Sequence, residues 1–217
     1  MKISVIMAVT LDPYIYVCEN GFVITSASNM GYKFRRAVDS FLNQSYKNKE
    51  LIIVADGCRK VREIVDMSYD TERHEGLIKL LELRKQPTFS GGIRKAGLEI
   101  ADGNIICFLD ADDFMGREHL RIIANNFNPR KHDWCYYNDY LVRDINNIYA
   151  EERDVQPERT KIGTSSIAFR NGLEVEWSDT HKHDWYMIEK YLLPLDGIKI
   201  RTAEYFVCHC SQLGIDN

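Results

Sequence analysis

Three stretches that read as buried strands, each running into a polar or acidic residue, limit the fold of this chain more than any other feature. Ile3–Val9 is apolar except for Ser4 and is followed by Thr10; Leu51–Ala55 is followed by Asp56-Gly57; Asn104–Leu109 is followed by Asp110. An apolar run without alternation is what a parallel strand looks like when both faces of its sheet are covered. Helical spacing fills the gaps. Met30–Gln44 places Phe34, Val38, Phe41 and Leu42 on one face. Lys60–Met67 and Arg117–Asn126 read as further helices, and Leu77–Leu83 as another strand. Ser90 is placed to cap a helix from about Gly92 to Ala101, with Gly103 just beyond its end. Strand and helix in alternation predict an α/β fold: a mostly parallel central sheet flanked by helices, with right-handed connections. Ligands of such sheets bind outside the carboxyl ends of the strands. The polar residues there are Thr10, Asp56 and the group Asp110–Asp113.

The second half changes character. Asp133–Arg143 is aromatic-rich and strand-like, Thr164–Phe169 is a short strand, His183–Leu193 is a helix stopped by Pro194, and Lys199–Cys208 gives one or two strands. This half reads as the cover of a site built by the first. The stretch Leu11–Asn29 has no clear period, and a segment of that length in a compact domain is often functional. No repeat or linker divides the 217 residues, so the expectation is one domain over 1–217.

Composition excludes several classes. Hydrophobic residues make up 45% and charged ones 28%, ordinary for a globular protein, and the net charge of -4 argues against a dedicated nucleic-acid binder. No stretch reaches the roughly 18 apolar residues that span a bilayer. Met1–Val9 lacks the length and cleavage site of a signal peptide, which points to a cytoplasmic protein and leaves peripheral membrane contact open. The six cysteines form no CxxC pair and are expected to be reduced. Cys208-His209-Cys210 is the one cluster resembling metal ligands, but strand residues are the better reading, because a zinc site needs four convergent ligands.

The strongest chemical signal is Phe108-Leu109-Asp110-Ala111-Asp112-Asp113-Phe114. Three carboxylates at one strand end raise one another's pKa unless a cation neutralises them. Hard oxygen ligands around a small open site suit Mn2+ or Mg2+, with water and phosphate oxygens completing the shell. The alternative is a solvated acidic turn at the start of a helix.

Taken together with its neighbours, this run resembles glycosyltransferase family 2, the inverting GT-A family. The resemblance rests on Lys2–Val9 as the family's first strand, Arg36–Tyr46 as its first helix, and Glu50–Cys58 as the strand ending in Asp-Asp-Gly-Ser. Gly91–Gly103 resembles its arginine-bearing helix, and His183–Met187 its acidic-Asp-aromatic motif. It implies a GT-A fold with a small mixed C-terminal acceptor part, residues 1–115 binding the nucleotide sugar and 116–217 the acceptor. It implies transfer of a sugar from a nucleotide diphosphate donor, a UDP-sugar in the first instance, to a saccharide or lipid-linked saccharide. By the same resemblance Asp56 accepts a hydrogen bond from the base, Arg94 sits near the donor, and Asp110 supports Asp112 and Asp113, which hold ribose and the metal–diphosphate. Thr10 stands where the family has its base-contacting aromatic. Asp184 matches the general base that takes the acceptor proton. Plainer readings stand beside these: Arg94 as an exposed helix arginine, Asp184 as a helix N-terminal acid, Trp185 as a core aromatic rather than a sugar platform, His209 as a strand histidine rather than a phosphate contact.

The chain departs from the family in three places. Ala8-Val9-Thr10-Leu11 replaces the proline-x-aromatic-asparagine turn, which leaves Tyr14, Tyr16 or Phe22 to stack on the base; Ala55 replaces the first aspartate of the usual pair; His183 replaces the acidic neighbour of Asp184. These changes motivate a competing reading, a silent module that binds a nucleotide sugar. A nucleotidyltransferase would need a glycine-rich phosphate loop after the first strand, and none follows Val9. Few residues follow Asp184, so the acceptor part is expected to be minimal or completed by a partner. Without a transmembrane hairpin or a basic amphipathic helix, processive export is not expected.

Overall fold

The computed structural model describes residues 1–12, 15–17, 23–25, 30–69, 75–86, 89–144, 149–178 and 180–208. In chain order the strands are β1 (Ile3–Val9), β2 (Ile15–Val17), β3 (Val23–Thr25), β4 (Lys49–Asp56), β5 (Ile78–Leu83), β6 (Ile105–Phe108), β7 (Phe114–Met115), β8 (Trp134–Asp144), β9 (Tyr149–Arg153), β10 (Ile167–Arg170) and β11 (Gly197–Cys208). The helices are α1 (Met30–Leu42), α2 (Arg59–Ser68), α3 (Ser90–Glu99), α4 (His119–Asn126) and α5 (His183–Met187). A 3-10 turn, Thr164–Ser166, precedes β10, and a π-helical turn, Ile188–Leu192, follows α5.

One sheet runs in the order β5-β4-β1-β6-β10-β8-β11-β7, with β9 paired to β8, and β2–β3 form a separate hairpin. The β5-β4-β1-β6 half is parallel throughout, as the continuous apolar runs require. β10 then enters antiparallel between β6 and β8 and carries the sheet into the second half of the chain. Side chains on β1 alternate between the two faces. Val5, Met7 and Val9 join one core with Phe34, Ala37, Val38 and Phe41 of α1; Ile6 joins the other, with Val54, Phe108 and Ile93 of α3. Burial of each such large apolar side chain contributes about 1.5–3 kcal/mol. On the second face Gly97 lets α3 lie close to the sheet: a Cβ there would stand 2.6 Å from Ile6 Cγ2 and 3.0 Å from Val54 Cγ2.

Several expectations shift. Ser90 opens α3 rather than capping it; the cap position is Phe89 and makes no side-chain cap bond. Thr164–Ser166 is a 3-10 turn, not strand. The expected helix His183–Leu193 widens after one turn, Leu193 N–H reaching back five residues to Ile188 C=O. β7 and β9 are additional. The hairpin β2–β3 falls in the stretch without period; the side chains of Tyr14, Tyr16 and Phe22 lie outside the described residues, as does His209.

Candidate active site

β1, β4 and β6 run parallel and in register, so Thr10, Asp56 and Asp110 follow neighbouring strand ends on one edge of the sheet. Asp56 is buried, and both its oxygens are engaged: Lys85 Nζ lies 2.6 Å away and Gln86 N–H donates at 2.7 Å. Gly57 makes that possible. Its φ of +63° is open to glycine, and a Cβ would fall 2.6 Å from Lys85 N. Thr10 is half-buried, its Oγ1 without a hydrogen-bond partner among the described residues.

Arg94 occupies the centre. It is 5% exposed, so the exposed-arginine reading is overturned. Nη2 donates to Asp110 Oδ1 at 2.7 Å, and Nη1 to Asp184 Oδ1 and Ser90 Oγ at 2.9 Å each. Burial works against the guanidinium's charge, but Asp184 and Asp110 more than offset it and hold its pKa above the ordinary value. Asp184, from α5, also accepts from Thr164 Oγ1 at 3.1 Å and has His183 Nδ1 at 2.6 Å. Burial would raise its pKa; Arg94, His183 and Thr164 reverse that and bring it down to about 2. Asp110 moves the other way, raised by burial and by Asp112 and Asp184 against the pull of Arg94.

Within the acidic motif the carboxylates part company. Asp112 is half-buried, and its backbone carbonyl accepts from Arg36 Nη2. Asp113 is buried and turned inward: Cys208 N–H donates to it at 2.7 Å, and the Tyr205 hydroxyl bonds to it. Burial and the two neighbouring aspartates push its pKa well up. Of the expected pair of metal carboxylates, Asp112 and Asp113, the second is thus engaged with β11. Among the described residues no three His, Cys, Asp or Glu side chains form a metal cluster. The carboxylates of this loop are hard oxygen ligands, of the kind that suits a magnesium or manganese ion drawing its other ligands from water and phosphate.

Trp185 packs half-buried on the second core, the plainer of its two readings. Trp177 was not anticipated. It lies edge-on to Phe108 at 6.0 Å and stands so close to Gly91 that a Cβ there would be 2.5 Å from its own Cβ, while its indole N–H is buried without a partner among the described residues. Thr164, Lys33 and Arg36 were also missed. The first had no local signal. Lys33 had one: it lies four and eight residues before Ala37 and Phe41, on the buried face of α1. A cavity of about 720 Å³ at the opposite edge of the sheet, near Gly103, Arg170 and Asn171, contains none of these residues. No helix among the described residues is long and apolar enough to cross a membrane.

Residues 22–187 match the family Glycosyl transferase family 2. The chain is 32% identical over 99 residues to the amylovoran biosynthesis glycosyltransferase AmsB of Erwinia amylovora, covering 46% of this chain and 33% of AmsB. The crystal structure of Staphylococcus aureus TarS 1-349 in complex with UDP-GlcNAc superposes with a TM-score of 0.68 at 17% identity, covering 96% of this chain and 59% of that one. The mannosyltransferase PcManGT of Pyrobaculum calidifontis, in complex with GDP-Man and Mn2+, superposes with a TM-score of 0.62 at 13% identity, covering 95% and 56%. This chain thus spans a third of AmsB and less than two thirds of either structure.

Proposed function

Because this chain belongs to glycosyltransferase family 2 and has the GT-A fold, we propose that it moves a sugar from a nucleotide diphosphate donor to a saccharide or lipid-linked saccharide acceptor, with inversion at the anomeric carbon. The observation that carries this reading is the buried Arg94, which brings Asp110 of the acidic motif and Asp184 of the second half to one point at the strand ends. Residues 1–115 are the donor side and 116–217 the acceptor side. Asp184, 30% exposed in its side chain, takes the proton from the attacking hydroxyl. The hydroxyl oxygen bonds to the anomeric carbon as the sugar–phosphate bond breaks on the opposite face. Asp112 would hold a divalent metal whose charge stabilises the departing diphosphate. A uridine diphosphate sugar is the first donor to test, in view of the TarS complex, and a cytoplasmic site of action follows the same reading. Asp56 and Thr10 lie where the base would sit; Lys85 already occupies one oxygen of Asp56, so the base shares that carboxylate or displaces the lysine.

Asp184→Asn should abolish transfer and leave donor binding within about threefold, since the amide oxygen still accepts from Arg94 while the base is lost. Turnover at the wild-type rate would remove Asp184 from the chemistry. A second reading, a module that binds a nucleotide sugar and transfers nothing, is favoured by one observation: a carboxylate held at about 2 by Arg94 is a poor base near neutral pH. A wild-type chain that binds UDP-sugar in calorimetry yet neither transfers nor hydrolyses it would decide for that module.

A further inference from the structure

α1 buries cations that the free protein leaves with donors unspent. Lys33 is 4% exposed, and its ammonium has no hydrogen-bond partner among the described residues. Arg36 follows one turn later, half-buried. Its Nε and Nη1 have no hydrogen-bond partner among the described residues, its Nη2 holds the carbonyl of Asp112, and its guanidinium lies 5.1 Å over the Phe114 ring. Both cations act on the tip of β11. The Cys208 thiol there is raised to about 11 by burial and by Asp113 and Asp112, with Arg36 and Lys33 pulling the other way.

A buried charge is ordinarily paired, because burial without a counter-charge costs stability. Side chains three apart on a helix face the same way with Cβ atoms about 5–6 Å apart, a span that two oxygens of one polyanion can bridge. The guanidinium offers a fork and the ammonium a point charge, the combination suited to phosphate. The acidic loop repels anions by itself, so a phosphate reaching Asp112 needs positive charge close by. Arg36 is tied to the acidic loop itself, through the Asp112 carbonyl.

We propose that Lys33 and Arg36 form a diphosphate site that holds the leaving group of the transfer. This deepens the reading of the same site as a sugar transferase and rests on it. In the step itself the bond between the anomeric carbon and the phosphate oxygen breaks, its electron pair stays on that oxygen, and the acceptor's proton goes to Asp184. Lys33 and Arg36 face the charge that accumulates on the diphosphate.

The test uses the full chain, with wild type, Lys33→Met and Arg36→Gln compared by calorimetry with UDP, inorganic pyrophosphate and uridine in the presence of magnesium, and by thermal unfolding. Lys33→Met should melt above wild type, since an apolar side chain replaces an unpaired buried charge. It should also bind UDP and pyrophosphate about tenfold more weakly or worse, with uridine unchanged. Arg36→Gln should repeat the ligand losses. A lower melting temperature for Lys33→Met with intact UDP affinity would make Lys33 a structural lysine and overturn the proposal. So would a loss confined to the acceptor's KM, or an equal loss for uridine. Failure of the parent reading shows separately, as a wild type that binds no nucleotide; pyrophosphate then decides alone, binding that needs Lys33 upholding the anion site and binding indifferent to it ending the idea. Should Lys33→Met not fold, Lys33→Gln carries the same comparison.

Discussion

Arg94 is held by carboxylates 16 and 90 residues away in sequence. Its one turn of helix reads the same whether the side chain faces water or the interior, which is why the sequence left both readings open. The same distance explains Asp113: the groups that turn it inward, Tyr205 and the Cys208 amide, lie more than ninety residues downstream. The acidic motif itself was legible, because three aspartates directly after an apolar run need only local reading. The pairing of Arg94 with Asp184 has a consequence for acid stability. The folded-state pKa of Asp184, about 2, lies below the ordinary carboxylate value near 4, so its contribution is complete above about pH 4 and is lost as pH falls toward 2. Urea unfolding of wild type and Asp184→Asn across that range should show a gap that is constant at neutral pH and closes as pH drops. A gap independent of pH would mean that Asp184 gains nothing from Arg94.

At the scale of elements, legibility followed burial. β1, β4 and β6, each built on a buried apolar run, were read to within a residue or two. β9 was missed because Tyr149–Arg153 carries the charges an edge strand uses to discourage further pairing. β7 was missed because two residues have no period. The π-helical turn after α5 left no mark, since its residues suit an α-helix equally well. The contact between α3 and the sheet is where one atom matters most. Gly97→Val would drive a branched side chain into Ile6 and Val54, and should cost about 1–3 kcal/mol through overpacking. Because α3 carries Arg94, the variant should also weaken donor binding. Chemical denaturation and calorimetry on one sample check both, and a variant as stable as wild type would show that α3 can lift from the sheet freely.

The whole molecule is pinned at the edge of the sheet opposite the site. Glu50 is fully buried there. Ser4 Oγ donates to it at 2.5 Å, Lys2 Nζ at 2.7 Å and Asp102 N–H at 2.8 Å, and Lys79 Nζ lies 3.0 Å away. Burial alone would raise its pKa, but these donors bring it down to about 2. One carboxylate thus joins β1, β4, β5 and the turn after α3. Glu50→Leu should cost about 1–3 kcal/mol, less than a fully buried pair because both lysines reach water, and should leave nucleotide affinity unchanged. An equal drop in affinity would show that the two edges of the sheet are coupled. The strand order has a further consequence. β11 is the last described element in sequence, yet it lies inside the sheet between β8 and β7, and it brings Tyr205 and Cys208 to the acidic loop. A chain emerging from the ribosome therefore carries Asp113 long before the two groups of β11 that turn it inward.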